Sequence, residues 1–507
     1  MIPQLVRMRP RAIAARAVVA LPMLFFPIIM VLVDIFPILR RFYVRYAFEL
    51  SEEVRTIRYI DRTEDASDTS SESRNQRARQ PTILVSTESD NRYEWIENFL
   101  KNEGHNWRIV YMPNLLFELP FTCLLGRFRA EWPTLTLIDW DYVDECKAQF
   151  ERGRRRLRAH LRKILTTIDE EYSPSAFVSA SVNDMRWLET IGVARSLGHR
   201  WVVTEREGVL TPAVIANDVD VVRKDVKPNI DMMLVANGTH RDFWRAVGMD
   251  PSRICVSGDL KTDIWRYPHI WPSRSAIHPW LQDDRCLIVY FSFGARYYIE
   301  PSHFPDLDGD WSDLQSAHYR VIRRMAEKYD SSVQIVVKSS ARASDLNNNS
   351  DFSDLHNVIV LRTGGLALDL IICSDIVVGF QSTATIEAMF TDKPILYPAW
   401  GEVYNKVADF LIPIHTSTGV NWLHSEKEFE ENLEELIQFQ EKRKLDRSVI
   451  IERKNFREKY YFLPQEGVAS VTWSKILECI EQQQEVSSKP LRSELLCGEA
   501  RLSSRDV

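Results

Sequence analysis

The chain has 507 residues, 45% of them hydrophobic and 27% charged, enough to bury two cores rather than one. Its net charge of −7 excludes the usual nucleic-acid-binding protein, whose contact face makes a domain basic. Seven cysteines, Cys123, Cys146, Cys255, Cys286, Cys373, Cys479 and Cys497, are scattered, odd in number and without a CxxC pair, which suits a reducing compartment. No His, Cys and Asp cluster has zinc spacing, and the Asp306, Asp308 and Asp310 group has its glycine at Gly309, out of place for a calcium loop. No metal and no cofactor are expected.

Residues 17–39 form an apolar run that would be about 35 Å long as a helix, enough for a bilayer core. It is too long for a signal-peptide core and no small-residue cleavage site follows, so it reads as retained. Arg7, Arg9, Arg11 and Arg16 precede it while Arg40, Arg41 and Arg45 follow, so charge does not choose an orientation. Pro22, Pro27, Pro37 and Asp34 disfavour a straight span. A single span, a re-entrant segment with both flanks cytoplasmic and a buried soluble helix all remain open. The basic flanks would also attract an anionic membrane surface. Residues 63–80 lack large apolar side chains and form a linker reaching roughly 20–25 Å.

Strand-like runs then alternate with helix-like ones at 82–86, 108–112, 134–138, 176–179, 201–204, 232–235 and 253–257, a doubly wound α/β signature. Ligands in such sheets bind beyond the carboxyl ends of the strands. Those ends carry Glu88, Asp139, Glu205 with Glu207, and the run Gly258, Asp259, Leu260, Lys261, Thr262 and Asp263. Residues 152–163 hold seven Arg or Lys on an expected helix, which reads as a solvated face or as a contact with anionic lipid.

A second alternation starts at 286–291, whose strand runs into Ser292, Gly294 and Arg296, a loop type that approaches phosphate. The strand at 334–337 ends in Lys338, and the strand at 358–361 precedes a helix at 364–373. The most informative stretch is 374–398. An apolar strand leads through Gly379 to Ser382, Thr383 and Thr385 at a helix start, and a second strand follows. Free N–H groups and the positive dipole end suit a diphosphate, and Glu387 offers a carboxylate to two ribose hydroxyls. The same letters also spell an ordinary capping box, so both readings stand.

Gly379, Ser382, Thr383, Glu387, Ala388, Lys393 and Pro394 resemble the donor-binding segment of GT-B-fold glycosyltransferases, nearest to bacterial surface-polymer transferases including the CDP-glycerol glycerophosphotransferases and, more distantly, the Kdo transferases. The run 257–263 resembles a Kdo-transferase stretch near the hinge, with Asp259 for Asn and Thr262 for Phe, which assigns Gly258, Lys261 and Asp263 to the cleft. The 204–212 segment resembles an acidic-glycine loop of surface-carbohydrate transferases. Lys338 matches a Lys-Pro-His-Pro position with the histidine missing. Residues 456–480 are similar to the closing segment of those enzymes.

The resemblance implies a GT-B architecture, two Rossmann-like doubly wound domains facing a cleft, preceded by an N-terminal membrane segment. The expected units are 1–45, membrane-associated; 46–80, linker; 81–275, acceptor domain; 276–480, nucleotide-donor domain; and 481–507, disordered tail. It implies a metal-independent glycosyltransferase on the cytoplasmic face. Its donor would be a nucleotide-sugar or CDP-polyol and its acceptor lipid-linked. Such transfer needs a base, for which Glu207 ranks first and Glu88 and Asp139 follow. Two other readings keep the fold: a UDP-GlcNAc 2-epimerase-like enzyme, and a non-catalytic tethered scaffold or nucleotide-sugar-sensing subunit.

Overall fold

The computed structural model describes residues 82–86, 108–112, 115–125, 145–179, 185–205, 229–266, 273–296, 306–339, 352–361 and 367–488, with isolated positions between these ranges and within 38–47. The apolar run apart from Ile38 and Leu39, the 134–138 strand, and Glu88, Asp139 and Glu207 lie outside them. Among the described residues no helix is long and apolar enough to cross a membrane.

The first sheet comprises β1 (Thr82–Ser86), β2 (Arg108–Met112), β3 (Pro174–Ser179), β4 (Trp201–Thr204), β5 (Met232–Val235) and β6 (Ile254–Val256), in the order β2-β1-β3-β4-β5-β6. The second comprises β7 (Cys286–Phe291), β8 (Val333–Lys338), β9 (Val358–Leu361), β10 (Ile376–Gly379), β11 (Ile395–Pro398) and β12 (Asn421–Leu423), in the order β12-β11-β10-β7-β8-β9. Every pairing between described strands is parallel. Counted from its own first strand, the second sheet has the doubly wound 3-2-1-4-5-6 order, whose switch point lies between β7 and β10.

Short runs that are apolar at every position become strands here because both faces are covered. Leu287, Val289 and Phe291 of β7 join one core with Val336, Val377 and Tyr397. Their neighbours Ile288 and Tyr290 join another with Ile335, Val337, Val378 and Leu396. The last helix, Val468–Ser488, lies on the other sheet. Its Val468, Trp473, Ile476 and Ile480 pack on Ile83, Val178, Val202 and Leu234 of the first sheet. The expected unit 276–480 groups this helix with the second sheet, yet its side chains complete a core on the first sheet. It also runs eight residues into the expected tail. Ala47, at the start of the expected linker, is buried with Val44 in the first core.

Among the buried ionisable residues is a histidine of the second domain. His318, in the helix Ser312–Lys328, is fully buried among Phe293, Phe380, Trp400 and Phe429, and its Nδ1 lies 3.3 Å from the Tyr290 hydroxyl. Burial pushes its imidazole down to about 3. Below the ordinary histidine value the unfolded chain takes up a proton that the folded one refuses, so stability falls with pH from about 6.5 towards 3. That component has a slope of up to about 1.4 kcal/mol per pH unit. Urea titrations between pH 7 and 5 should show it in the native protein and lack it in His318→Phe; identical slopes would contradict it.

Candidate functional site

The register of the second sheet brings four strand ends into one row. Gly379 pairs with Phe291, Phe291 with Lys338, and Lys338 with Leu361. At the usual strand spacing Gly379 and Lys338 are about 10 Å apart, astride the switch point. The loop after β7 is fixed from below: Ser292 Oγ is 2.8 Å from Tyr319 Oη, Trp311 N donates to Ala295 O, and Gln315 Nε2 to Phe293 O. The Ser292 hydroxyl is thereby engaged inside the protein, while Gly294 is buried and Arg296 is exposed.

Lys338 is 9% exposed, and its Nζ donates to Ser339 O at 2.8 Å. No carboxylate pairs with it among the described residues. Burial lowers the pKa of this ammonium, and the missing counter-charge is what an anionic ligand would supply.

Across β7, Gly379 leads into the six-residue helix Thr383–Ala388. A Cβ on Gly379 would come within 2.3 Å of Thr385 Oγ1, so glycine is required for the helix to seat against the strand. Thr385 is fully buried, and its hydroxyl finds no hydrogen-bond partner among the described residues. Gln381 has φ 47°, a left-handed conformation uncommon outside glycine. Its side chain holds that turn: Nε2 donates to Tyr397 Oη (2.5 Å) and Ile412 O (3.1 Å), and Oε1 accepts from Ile412 N (2.9 Å). Ser382 is the N-cap, accepting from Ala384 N at 3.2 Å. Half of the capping-box reading therefore holds. Glu387 does not reach back to complete it, because Thr385 occupies the third helical position.

Glu387 is instead 4% exposed and turned towards the 258–263 run. Its Oε1 lies 2.5 Å from Lys261 Nζ and accepts from Tyr461 Oη at 3.4 Å, while Lys261 Nζ is also 3.3 Å from Asp259 Oδ2. Two segments 126 positions apart, read separately as cleft and donor site, thus form one buried cluster. Only Oε1 carries these contacts. Asp263 plays a different part. Both its oxygens accept from the start of the last helix, at Val468 N (2.9 Å) and Ala469 N (2.7 Å), so it caps that helix and ties the 258–263 run to it. Gly258 has φ +96° and lies under Phe462.

The three expected bases, Glu207, Glu88 and Asp139, fall outside the described residues. Their neighbour Glu205 is described. Its carboxylate lies 2.5 Å from His240 Nδ1 and accepts from Trp244 Nε1 at 2.9 Å. Sequence reasoning missed this pair, Gln381 and Tyr461. A glutamine between a buried strand and Ser-Thr was the one signal that could have pointed to the strained turn. Among the described residues no group of three or more His, Cys, Asp or Glu could hold a metal ion.

No protein-family model and no curated protein matches the chain. Solved structures do match. A variant of the wall teichoic acid polymerase TagF is 12% identical, with 80% of this chain and 90% of that one covered, at a TM-score of 0.51. A second variant, soaked with CDPG, is 12% identical over 86% of this chain and 98% of that one, at 0.50. A UDP-GlcNAc 2-epimerase from Neisseria meningitidis, bound to UDP-GlcNAc, is 13% identical over 79% and 100%, at 0.41, too distant to inform the argument. At such identities the likeness concerns architecture: the chain has a GT-B-like fold of two parallel α/β domains.

Proposed function

We propose that the chain is a membrane-associated transferase of surface-glycan biosynthesis. It moves a sugar or a polyol phosphate from a nucleotide-activated donor to a lipid-linked acceptor at the cytoplasmic face. The observation that carries this reading is the buried Lys338 ammonium without a carboxylate partner among the described residues, in register with Gly379 at the switch point. A leaving nucleotide gathers negative charge, and fixed positive groups and N–H donors there stabilise the transition state. Lys338 and the loops at 292–296 and 379–385 have that role. Glu387 Oε2 takes the ribose, and Glu207, or failing it Glu88 or Asp139, removes the acceptor proton. The tether raises the effective concentration of a lipid-held acceptor.

Calorimetric titration of the full chain with UDP-, GDP-, CDP- and CMP-linked donors tests this, starting with cytidine donors because a solved relative was soaked with CDPG. One nucleotide class should bind. Lys338→Met should weaken it about 10–100-fold, the usual worth of a charged hydrogen bond. Because burial lowers the lysine's pKa, affinity should decline at a lower alkaline pH than for an ordinary lysine. No binding by a folded sample would favour the non-catalytic scaffold. Donor binding with transfer unaffected in Glu207→Ala, Glu88→Ala and Asp139→Ala would overturn the choice of base.

A further inference from the structure

The helix Lys147–Tyr172 has an outer face whose charge the fold does not explain. Its inner stripe, including Phe150, Leu157, Leu161 and Ile164, is buried in the first core. Gly153 sets its rotation, since a Cβ there would lie 2.8 Å from Leu125 Cδ2 and 2.9 Å from Leu124 O. Arg154 Nε pairs with the buried Glu189 at 2.7 Å, and Arg158 pairs with the same carboxylate. These two arginines have a structural partner.

Arg152, Arg155 and Arg156 do not. All three are exposed and make no ion pair among the described residues. The helix dipole does not account for them either. Asp169, Glu170 and Glu171 stand in the last turn, with no acid in the first turn and no base in the last, the reverse of what the dipole favours by about 0.3–1 kcal/mol per terminal charge. Arg152, Arg155 and Arg156 lie beyond the first turn, where the dipole neither rewards nor penalises them.

The acidic end has a second tenant. Arg41 Nη2 pairs with Glu170 at 2.8 Å, and Val44 and Ala47 are buried in the same core, whereas Ile38 is 82% exposed. The chain leaving the apolar 17–39 run is therefore clamped to this helix, about 20 Å from Arg156 along its axis.

We infer that the outer face of this helix, centred on Arg152, Arg155 and Arg156, lies against an anionic lipid surface. Charge complementarity names the occupant, and the apolar run joining the body at the same helix brings a bilayer there. The inference rests on the membrane-associated part of the proposed function and not on its chemistry.

The test is flotation of the full chain with vesicles of phosphatidylcholine alone or mixed with phosphatidylglycerol. R152Q/R155Q/R156Q should lower the preference for anionic vesicles by about 100-fold, while partition into neutral vesicles, set by the apolar run, stays the same. The triple lysine variant should keep the preference, and K442Q/K444Q, on an exposed basic stretch of the other domain, should not alter it. An unchanged preference in the glutamine variant overturns the inference, as does an equal loss with K442Q/K444Q. Loss of single-stranded RNA binding with the vesicle preference intact would assign the face to nucleic acid and overturn it too. No donor enters this assay, so its failure leaves the donor-site reading standing, and a failed donor titration leaves this inference standing.

Discussion

Gly258→Ala should destabilise the protein by about 2–5 kcal/mol, a large effect for adding one methyl group. Two costs add. At φ +96° an alanine is strained by about 1–2 kcal/mol. Its Cβ would also sit 2.4 Å from Phe462 O and 2.6 Å from Val468 Cγ2, and the first of these is backbone that cannot rotate away. Phe462 N donates to Ala236 O and Asn237 Nδ2 to Tyr460 O, so the displaced segment is the one that returns the chain to the first sheet. Urea unfolding should show the loss, with limited proteolysis cutting near 458–468 first. A shift below about 1 kcal/mol would contradict the close approach.

Lys261→Met should cost about 3–5 kcal/mol, because it strands the carboxylates of Glu387 and Asp259, which are 4% and 3% exposed. Glu387→Gln should cost less, since the amide still accepts from Lys261 and Tyr461. The pair K261M/E387L replaces the ion pair by apolar volume and should recover part of the loss, giving a coupling of roughly 2 kcal/mol or more. Additivity within about 0.5 kcal/mol would mean that the two side chains do not meet in solution. Donor affinity should fall in the same variants, since Glu387 sits at the far end of the helix that begins with Ser382 and Thr383.

The fold was legible wherever a short apolar run lay between turn residues. Runs 201–204, 232–235, 286–291 and 358–361 are strands with those bounds, because a buried parallel strand needs nothing but apolar side chains on both faces. Hidden from view was what depends on tertiary contact. The short edge strand β12 has only three residues, and its alternation is too brief to read. The last helix is amphipathic in sequence, yet nothing local says which sheet it covers. Likewise Ser382 and Glu387 were legible as a helix start and its carboxylate, but the Lys261 partner comes from a run 126 positions earlier and could not be paired by spacing. Gln381 was illegible for a third reason: its strain is held by Tyr397 and Ile412, both supplied by later segments.

The central claim is that the nucleotide lies at the switch point of the second sheet. The most direct measurement is a crystal structure of the chain with its most stabilising nucleotide bound. The account predicts the diphosphate between the loops at 292–296 and 379–385, within hydrogen-bonding reach of Lys338 Nζ, with the ribose at Glu387. A nucleotide at the opposite, amino edge of the sheet, in the groove lined by Asp375, Lys393 and Arg443, would contradict it.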